Sequence, residues 1–255
     1  MMQTVILCGG KGTRMREETE HRPKPLVEVG GKPIIWHIMK LYAHHGYNDF
    51  IFTLGYKGRM IKEHFMYYKA FANDFTLNME TRDIRFHKEA NEDFRITFAE
   101  TGLESTTGER VLAVRPYITE DEFMVTYGDG VGDIDIKKLV AFHRAQGTIG
   151  TITGVHPNSK WGLLKEDPKT HLVTDFYQKP LLSDYVNGGF MVFNKKIFDY
   201  LDNGHIESAF SKLAHEKQLS VFHHEGFWKA MDTYNEMQEM NEIWEKQKPW
   251  AVWES

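Results

Sequence analysis

Short, largely apolar stretches recur along the sequence and predict buried β-strands, because such runs are typical of strands covered on both faces of a mainly parallel sheet. They cover residues 4–8, 49–54, 123–127 and 149–155. Apolar positions at helical spacing, with helix start and stop residues at their ends, predict helices between them. These helices are expected over residues 32–46, 59–70 and 134–147. The pattern indicates an α/β fold.

Other stretches alternate apolar and polar residues, which favours antiparallel or edge strands. Residues 75–79 and 95–98 do so inside a segment rich in charge and aromatic residues, and we expect an insertion over 71–100. Further strands are predicted over 161–164, 172–177, 185–193 and 219–224, with a helix over 206–216. The second half of the chain therefore adds small antiparallel elements to the central sheet.

The first predicted strand runs into Gly9-Gly10-Lys11-Gly12-Thr13-Arg14, and Pro23-Lys24-Pro25 follows. Closely spaced glycines let backbone N–H groups approach a bulky anion, and Arg14 and Lys24 add positive charge. The pattern lacks the Lys-Ser/Thr ending of a P-loop and the spacing of a dinucleotide fingerprint. An ordinary strand-to-helix turn would explain the glycines alone. The added cations favour a phosphate-binding loop.

Two aspartates are candidate metal ligands. Asp129 lies between Gly128 and Gly130 after the strand predicted at 123–127, where open α/β sheets hold their ligands. Asp232 precedes a predicted helix. Asp129 could instead cap a helix or form an Asx-turn, and Asp232 could cap the helix that follows it. Together the two would form an all-oxygen site that suits Mg²⁺.

Composition narrows the class of protein. The chain has 255 residues, of which 41% are hydrophobic, which is enough for one large α/β core, and we predict a single domain over residues 1–255. A formal net charge of −5 with scattered basic residues argues against nucleic acid as a partner. One cysteine, Cys8, excludes a disulfide within the chain. We find neither a signal peptide nor an apolar run of about 20 residues, so we expect a cytoplasmic protein without membrane contact.

The glycine loop with Arg14, followed by Pro-Lys-Pro, resembles the signature of the sugar-phosphate nucleotidylyltransferases. The resemblance extends along the whole chain and is closest to the glucose-1-phosphate cytidylyltransferase group. It rests also on Gly-Lys-Pro-Ile-x-Trp-His at 31–37, Gly-Tyr-Lys-Gly at 55–58, Thr-Tyr-Gly-Asp-Gly-Val at 126–131 and Asn-Gly-Gly-Phe at 187–190. The fold it implies is Rossmann-like, a mostly parallel mixed sheet with helices on both faces and small antiparallel insertions on the acceptor side.

The resemblance implies transfer of CMP from CTP to a small phosphorylated acceptor with Mg²⁺ as cofactor, the best guess for the acceptor being glucose 1-phosphate. The implied catalytic residues are Arg14, Lys24 and Lys179, and the implied metal ligands are Asp129 and Asp232. Nucleotide contacts are expected from Leu7, Gly9, Gly10, Gly12, Thr13, Thr101, Gly102 and Arg110. Acceptor contacts are expected from Tyr127, Gln178, Lys179, Asn187 and Gly188.

The sequence departs from the family pattern on the acceptor side. Gln178 replaces the glutamate of the usual Glu-Lys-Pro, and the family's Glu-x-Pro-Leu is altered to Glu207-Ser208-Ala209-Phe210. The first change keeps a non-sugar acceptor such as phosphoglutamine as an alternative. A further alternative is an inactive nucleotide-binding regulatory subunit. The tryptophan-rich tail, residues 244–253, packs either on the domain or on another subunit, so a homo-oligomer is an open expectation.

Overall fold

The computed structural model describes residues 2–87 and 92–254, so four residues of the predicted insertion at 71–100 lie outside the described residues. Its strands carry the labels used below. They are β1 (Thr4–Leu7), β2 (Glu28–Val29), β3 (Lys32–Pro33), β4 (Asp49–Leu54), β5 (Phe75–Leu77), β6 (Ile84–Phe86), β7 (Arg95–Glu100), β8 (Glu122–Tyr127), β9 (Gly130–Gly132), β10 (Gly150–Val155), β11 (Leu163–Glu166), β12 (Val173–Tyr177), β13 (Val186–Asn187), β14 (Met191–Asn194), β15 (Leu219–His224) and β16 (Trp228–Ala230).

Along the chain, the α-helices come mainly between the strands of the central sheet. They are α1 (Arg16–Thr19), α2 (Ile34–His44), α3 (Gly58–Met66), α4 (Tyr68–Ala72), α5 (Thr107–Ala113), α6 (Ile136–Gln146), α7 (Ile206–His215) and α8 (Tyr234–Lys246). Short 3₁₀ turns cover Thr13–Met15, Lys24–Leu26, Arg115–Tyr117, Lys195–Asp199 and Val252–Glu254. Within the described ranges, no helix is long and apolar enough to cross a membrane.

The central sheet is mixed and places β1 in its interior. β1 pairs in parallel with β8 on one side and with β4 on the other, and β4 pairs in parallel with β7. β8 continues through antiparallel β14 to β10, which pairs in parallel with β15. Because β8, β1, β4 and β7 are mutually parallel, their carboxyl ends meet at one edge of the sheet.

Successive residues of the central strands face opposite sides, and two hydrophobic cores result. Ile6, Phe50 and Phe52 face the core that contains residues of α2, α6 and α8. Val5 and Ile51 face the other core, with residues of α5 and α7. Helices therefore cover both faces, and the fold class predicted from the sequence is confirmed. Cys8 is buried among the first set, and burial raises the pKa of its thiol.

Small antiparallel sheets lie outside the central one. β5 pairs with β6, β11 with β12, β9 with β16, and β2 with β3. The β11–β12 hairpin, residues 163–177, exposes every residue of both strands. The predicted strand over 185–193 is interrupted: β13 and β14 pair with β10 in registers that differ by two residues. The residues between them, 188–190, form a bulge in which Gly189 has a φ of 80°.

The tryptophan-rich tail packs on the domain. Trp250 is fully buried, and its indole Nε1–H donates a hydrogen bond to Nδ1 of His37 in α2 at 3.2 Å. The rings of Trp244 and Trp253 also lie against His37, with centroids 4.6 and 6.1 Å away. Of the two alternatives predicted for this tail, packing on the domain is thus the one observed.

Candidate active site

The glycine loop, residues 8–13, connects β1 to the turn that precedes α1 and lies at the carboxyl edge of the sheet. Gly12 has a φ of 61°, in the left-handed region that glycine adopts at little cost. A Cβ on Gly9 would lie 2.1 Å from Nη1 of Arg110, so only glycine fits there. A cavity of about 210 Å³ lies over the loop. It is lined by Leu7, Cys8, Gly10, Gly12, Thr13, Arg14, Lys24, Pro25, Gly128, Asp129 and Asp232.

At the wall of this cavity the Lys24 ammonium joins the two predicted metal ligands. Its Nζ lies 2.5 Å from Oδ2 of Asp129 and 2.9 Å from Oδ1 of Asp232, and its side chain is 13% exposed. Burial by itself would lower the pKa of Lys24, but the two carboxylates outweigh it and raise that pKa above its ordinary value. Both carboxylates therefore lie within hydrogen-bond distance of the same cationic atom.

The chain brings the two aspartates together through β9 and β16. These strands pair immediately after Asp129 and immediately before residue 231, and the backbone N–H of Met231 donates to the carbonyl of Asp129 at 2.9 Å. Neither aspartate takes the capping role that the sequence left open. Thr233 caps α8 in a capping box with Glu236, and Asp135 caps α6.

Two more cations approach Asp232 from opposite parts of the chain. Nη1 of Arg14 lies 3.0 Å from its Oδ2, and Nζ of Lys160 lies 3.7 Å from the same oxygen. Burial by itself would raise the pKa of Asp232, but the hydrogen bond and charge of Lys24, together with these two cations, lower it below its usual range. Arg14 was predicted from its motif, whereas no sequence pattern singles out Lys160.

Arg110, predicted as a nucleotide contact, lies beneath the glycine loop. Its side chain is buried, and its guanidinium donates to the carbonyls of Gly9, Leu54 and Gly102 at 3.1, 3.2 and 2.8 Å. It also donates to Oγ1 of Thr101 at 2.7 Å. Because its donors are engaged by protein oxygens, Arg110 joins the ends of β1, β4 and β7. Thr101 and Gly102 are held in the same network.

On the other side of Asp129, two predicted acceptor contacts, Tyr127 and Asn187, form a chain of hydrogen bonds with Glu207. The Tyr127 hydroxyl donates to Oε1 of Glu207 at 2.5 Å and accepts from Nδ2 of Asn187 at 3.1 Å. Burial and the Glu207 carboxylate raise the pKa of Tyr127, so its hydroxyl stays protonated. Sequence interpretation treated Glu207 only as part of an altered stretch, because its contact with Tyr127 spans 80 positions.

Gly188 and the predicted pair Gln178 and Lys179 lie farther along this side. The carbonyl of Gly188 accepts from the Trp228 indole at 2.8 Å, which fixes the bulge beside Tyr127. Gln178 and Lys179 follow β12 and are exposed. Across residues 2–87 and 92–254, no hydrogen bond joins either of them to Tyr127, Asn187 or Gly188. In the same ranges, no group of three or more His, Cys, Asp or Glu side chains is arranged to hold a metal ion.

Known proteins are similar to this chain in sequence and in fold. A family model described as nucleotidyl transferase matches residues 3–247. Proteins named glucose-1-phosphate cytidylyltransferase from Salmonella typhimurium (strain LT2) and Salmonella typhi are each 43% identical over 259 residues, which covers 99% of this chain and 100% of theirs. A solved structure of UDP-glucose pyrophosphorylase complexed with UDP-glucose has a TM-score of 0.71 and 15% identity, covering 97% of this chain and 100% of that one.

Proposed function

The chain belongs to the nucleotidyl transferase family, and from this we propose that it transfers CMP from CTP to glucose 1-phosphate, giving CDP-glucose and pyrophosphate. The observation that carries the proposal is the convergence of Lys24, Asp129 and Asp232 beside the glycine loop. Relatives that carry the cytidylyltransferase name align with this chain over 99% of its length, which supports CTP as the donor.

The proposed reaction is a direct displacement at phosphorus. An oxygen of the acceptor phosphate forms a bond to the α-phosphorus of CTP, the bond from that phosphorus to the bridging oxygen of the β-phosphate breaks, and pyrophosphate leaves with the electron pair. No covalent intermediate with the protein is needed. The protein contributes by holding the reactants in line and by stabilising charge that develops on the phosphoryl oxygens.

On the nucleotide side, we propose that the glycine loop and Arg14 hold the leaving pyrophosphate. Arg14 suits this because its guanidinium offers a planar fork of donors and is 70% exposed at the cavity. Lys24 faces the same cavity and would neutralise the α-phosphate region once its carboxylate partners bind a cation. The remaining proposed nucleotide contacts are Leu7, Gly9, Gly10, Gly12, Thr13, Thr101 and Gly102, while Arg110 supports the loop from below.

We propose Mg²⁺ as cofactor, held by Asp129 and Asp232. Their carboxylate oxygens already lie within hydrogen-bond distance of one cationic atom, so the donor set and its convergence fit a hard cation. Mg²⁺ is commonly bound through one or two carboxylates together with substrate phosphates and water. When bound, it would supply positive charge to the triphosphate oxygens, which complements the charge that Lys24 and Arg14 provide.

On the acceptor side, we propose that the group of Tyr127, Asn187 and Glu207 binds hydroxyl groups of the acceptor. A carboxylate and an amide offer strong acceptors for sugar hydroxyls, which favours a hydroxylated substrate. Gly188 allows close approach, Lys179 would hold the acceptor phosphate, and Gln178 would contact the acceptor beside it.

The decisive experiment mixes the protein with CTP, Mg²⁺ and a panel of phosphorylated metabolites, and follows pyrophosphate release. We expect the highest specificity constant with glucose 1-phosphate and CDP-glucose as the product. No release with any acceptor would refute the proposed function, and CTP binding without product would favour the regulatory alternative. The neutral side chain of Gln178 supports phosphoglutamine as the second candidate acceptor. A specificity constant that is higher for phosphoglutamine than for glucose 1-phosphate would replace the first candidate.

A further inference from the structure

Lys160 is a cation at the candidate active site that the function described above does not use. It lies between β10 and β11, and its Nζ is 3.3 Å from Oε1 of Glu236 and 3.7 Å from Oδ2 of Asp232. Asp232 is already bound by Lys24 at 2.9 Å and by Arg14 at 3.0 Å. With its side chain 54% exposed, Lys160 is free to rotate toward a bound anion.

The backbone that carries Lys160 is tied to the segment that follows Lys179. Residues 157–159 run antiparallel to residues 180–182 through three links. These are Ser159 N to the Pro180 carbonyl at 2.7 Å, Leu182 N to the Pro157 carbonyl at 3.0 Å, and a β-bridge between Asn158 and Leu181. Ser159 is 4% exposed, so the pairing is anchored in the protein interior. The register brings Lys160 and Lys179 to adjoining ends of the two paired segments.

Lys160 and Lys179 carry like charges at opposed positions of the two segments, an arrangement that disfavours close approach of their ammonium groups. Lys179 moreover has a φ of 47°, in a region that non-glycine residues seldom occupy. Strained backbone of this kind clusters at active sites and ligand-binding positions. A phosphate dianion placed between the two lysines would turn their repulsion into attraction.

We propose that Lys160 binds the phosphate of the acceptor together with Lys179. The inference rests on the proposed function and adds a residue to it. Lys160 approaches the metal-binding carboxylates from the segment paired with that of Lys179, and not from the glycine loop. It therefore holds the attacking phosphate next to the α-phosphate of CTP. When the acceptor binds, its Nζ exchanges the contacts with Asp232 and Glu236 for phosphate oxygens.

The test compares Lys160→Ala and Lys160→Arg with the wild type, with Lys169→Ala as a matched control from the exposed end of the β11–β12 hairpin. Initial rates of pyrophosphate release are measured with glucose 1-phosphate varied at saturating CTP, and then with CTP varied. A hydrogen bond to a charged group is worth about 1.5–3 kcal/mol, so Lys160→Ala should raise the KM for glucose 1-phosphate by about 10- to 100-fold. The KM for CTP should stay within about twofold, because no contact to the nucleotide is lost.

Lys160→Arg keeps the charge and should recover most of the affinity for the acceptor, whereas Lys169→Ala should match the wild type. An unchanged acceptor KM in Lys160→Ala, or an equal rise in the KM for CTP, would overturn the inference. Thermal unfolding of each variant separates this from misfolding, and Lys160→Gln, which removes the charge but keeps a polar side chain, decides the question if Lys160→Ala is unstable. If wild-type protein turns over normally and Lys160→Ala does too, only the inference fails. If the wild type releases no pyrophosphate, the proposed function fails and the inference fails with it.

Discussion

Lys24 is the residue on which the candidate site depends, because one ammonium holds two carboxylates that would otherwise repel each other. Its distances to Asp129 and Asp232 are 2.5 and 2.9 Å. The positive charge of Lys24 offsets the mutual repulsion of the two carboxylates. Asp129 and Asp232 would hold the proposed divalent cation, and Lys24 would then be available to the substrate phosphates.

Replacing either aspartate should therefore remove activity and leave the fold intact. Asp129→Asn and Asp232→Asn each take one anionic ligand from the proposed Mg²⁺ site, and we expect turnover to fall by at least about a hundredfold. Pyrophosphate release at saturating CTP and Mg²⁺ measures the effect. Asp199→Asn, at an exposed position, is the control. Wild-type rates in both variants would show that these carboxylates hold no catalytic metal.

Arg110 supports the glycine loop through hydrogen bonds to several backbone carbonyls, so its replacement should lower the free energy of unfolding. Arg110→Met would leave the carbonyls of Gly9, Leu54 and Gly102 without this donor. The carbonyls of Gly9 and Leu54 keep the backbone donors of Tyr56 and Thr101, so the main loss is at the carbonyl of Gly102. A hydrogen bond to a charged group is worth about 1.5–3 kcal/mol, and we expect the free energy of unfolding to fall by about 3 kcal/mol. Urea unfolding measures the change.

The exposed Arg85 in β6 gives a matched control, since Arg85→Met should change the free energy of unfolding by less than about 0.5 kcal/mol. The KM for CTP should also rise in Arg110→Met, because the glycine loop would lose its support. A variant as stable as the wild type would contradict the bracing role.

Residues of the site were predictable where local chemistry reveals them. Arg14, Lys24 and Asp129 stand next to glycines and prolines that mark a loop at a strand end, and the structure places all three at one cavity. The burial of Arg110 and the approach of Lys160 depend on contacts across long stretches of chain. No local pattern encodes such contacts, so sequence analysis predicted neither the buried position of Arg110 nor the approach of Lys160 to Asp232.

At the scale of elements, periodicity predicted the strands best where both faces are buried. β1, β4 and β8 are largely apolar because each lies between two cores. The helix predicted over 59–70 is divided into α3 and α4 at Tyr67, whose backbone at φ −99° and ψ 9° leaves the helical region. The sequence pattern did not predict the bulge at 188–190 either, because Asn187-Gly188-Gly189 suits either a bulge or a ligand contact.

The packing of the C-terminal segment against α2 makes stability depend on pH through His37. Its Nε2–H donates to the carbonyl of Val29 at 2.8 Å and its Nδ1 accepts from Trp250 at 3.2 Å, so the neutral ring satisfies both partners. Burial lowers the pKa of His37 to about 4, against about 6.5 in an unfolded chain. Stability from this group is complete above pH 6.5 and is lost as the pH falls toward 4, because the unfolded chain binds the proton first.

The shift corresponds to a loss that approaches about 3 kcal/mol on acidification. Urea unfolding at pH 7.5 and pH 4.5 measures it, and His37→Gln, which cannot titrate, should show a smaller difference between the two. His45, His64 and His143 also have pKa values lowered by burial and act in the same direction, so the comparison with His37→Gln isolates one residue. Equal pH dependence in both proteins would exclude His37 as a source.

At the scale of the whole molecule, both cores draw on distant parts of the chain. The core that contains Ile6 also contains Met240 and Trp250, and the other joins Val5 to Leu213. The site is built the same way, since Asp232 reaches Lys24 across 208 positions. Composition predicted one large core. Only the structure shows that residues from the two ends of the chain pack into the same cores.

This interleaving predicts that the chain unfolds as one unit, as expected for a single domain. Trp36, Trp244, Trp250 and Trp253 surround His37, so tryptophan fluorescence reports mainly on α2 and the C-terminal segment, while far-ultraviolet circular dichroism reports on all helices and strands. In a background with Trp161→Phe and Trp228→Phe, the two signals should give the same urea midpoint, because neither core can persist once the other loses its strands. A fluorescence transition at lower urea than the dichroism transition would show that the C-terminal segment unfolds separately, and the single domain would have to be divided.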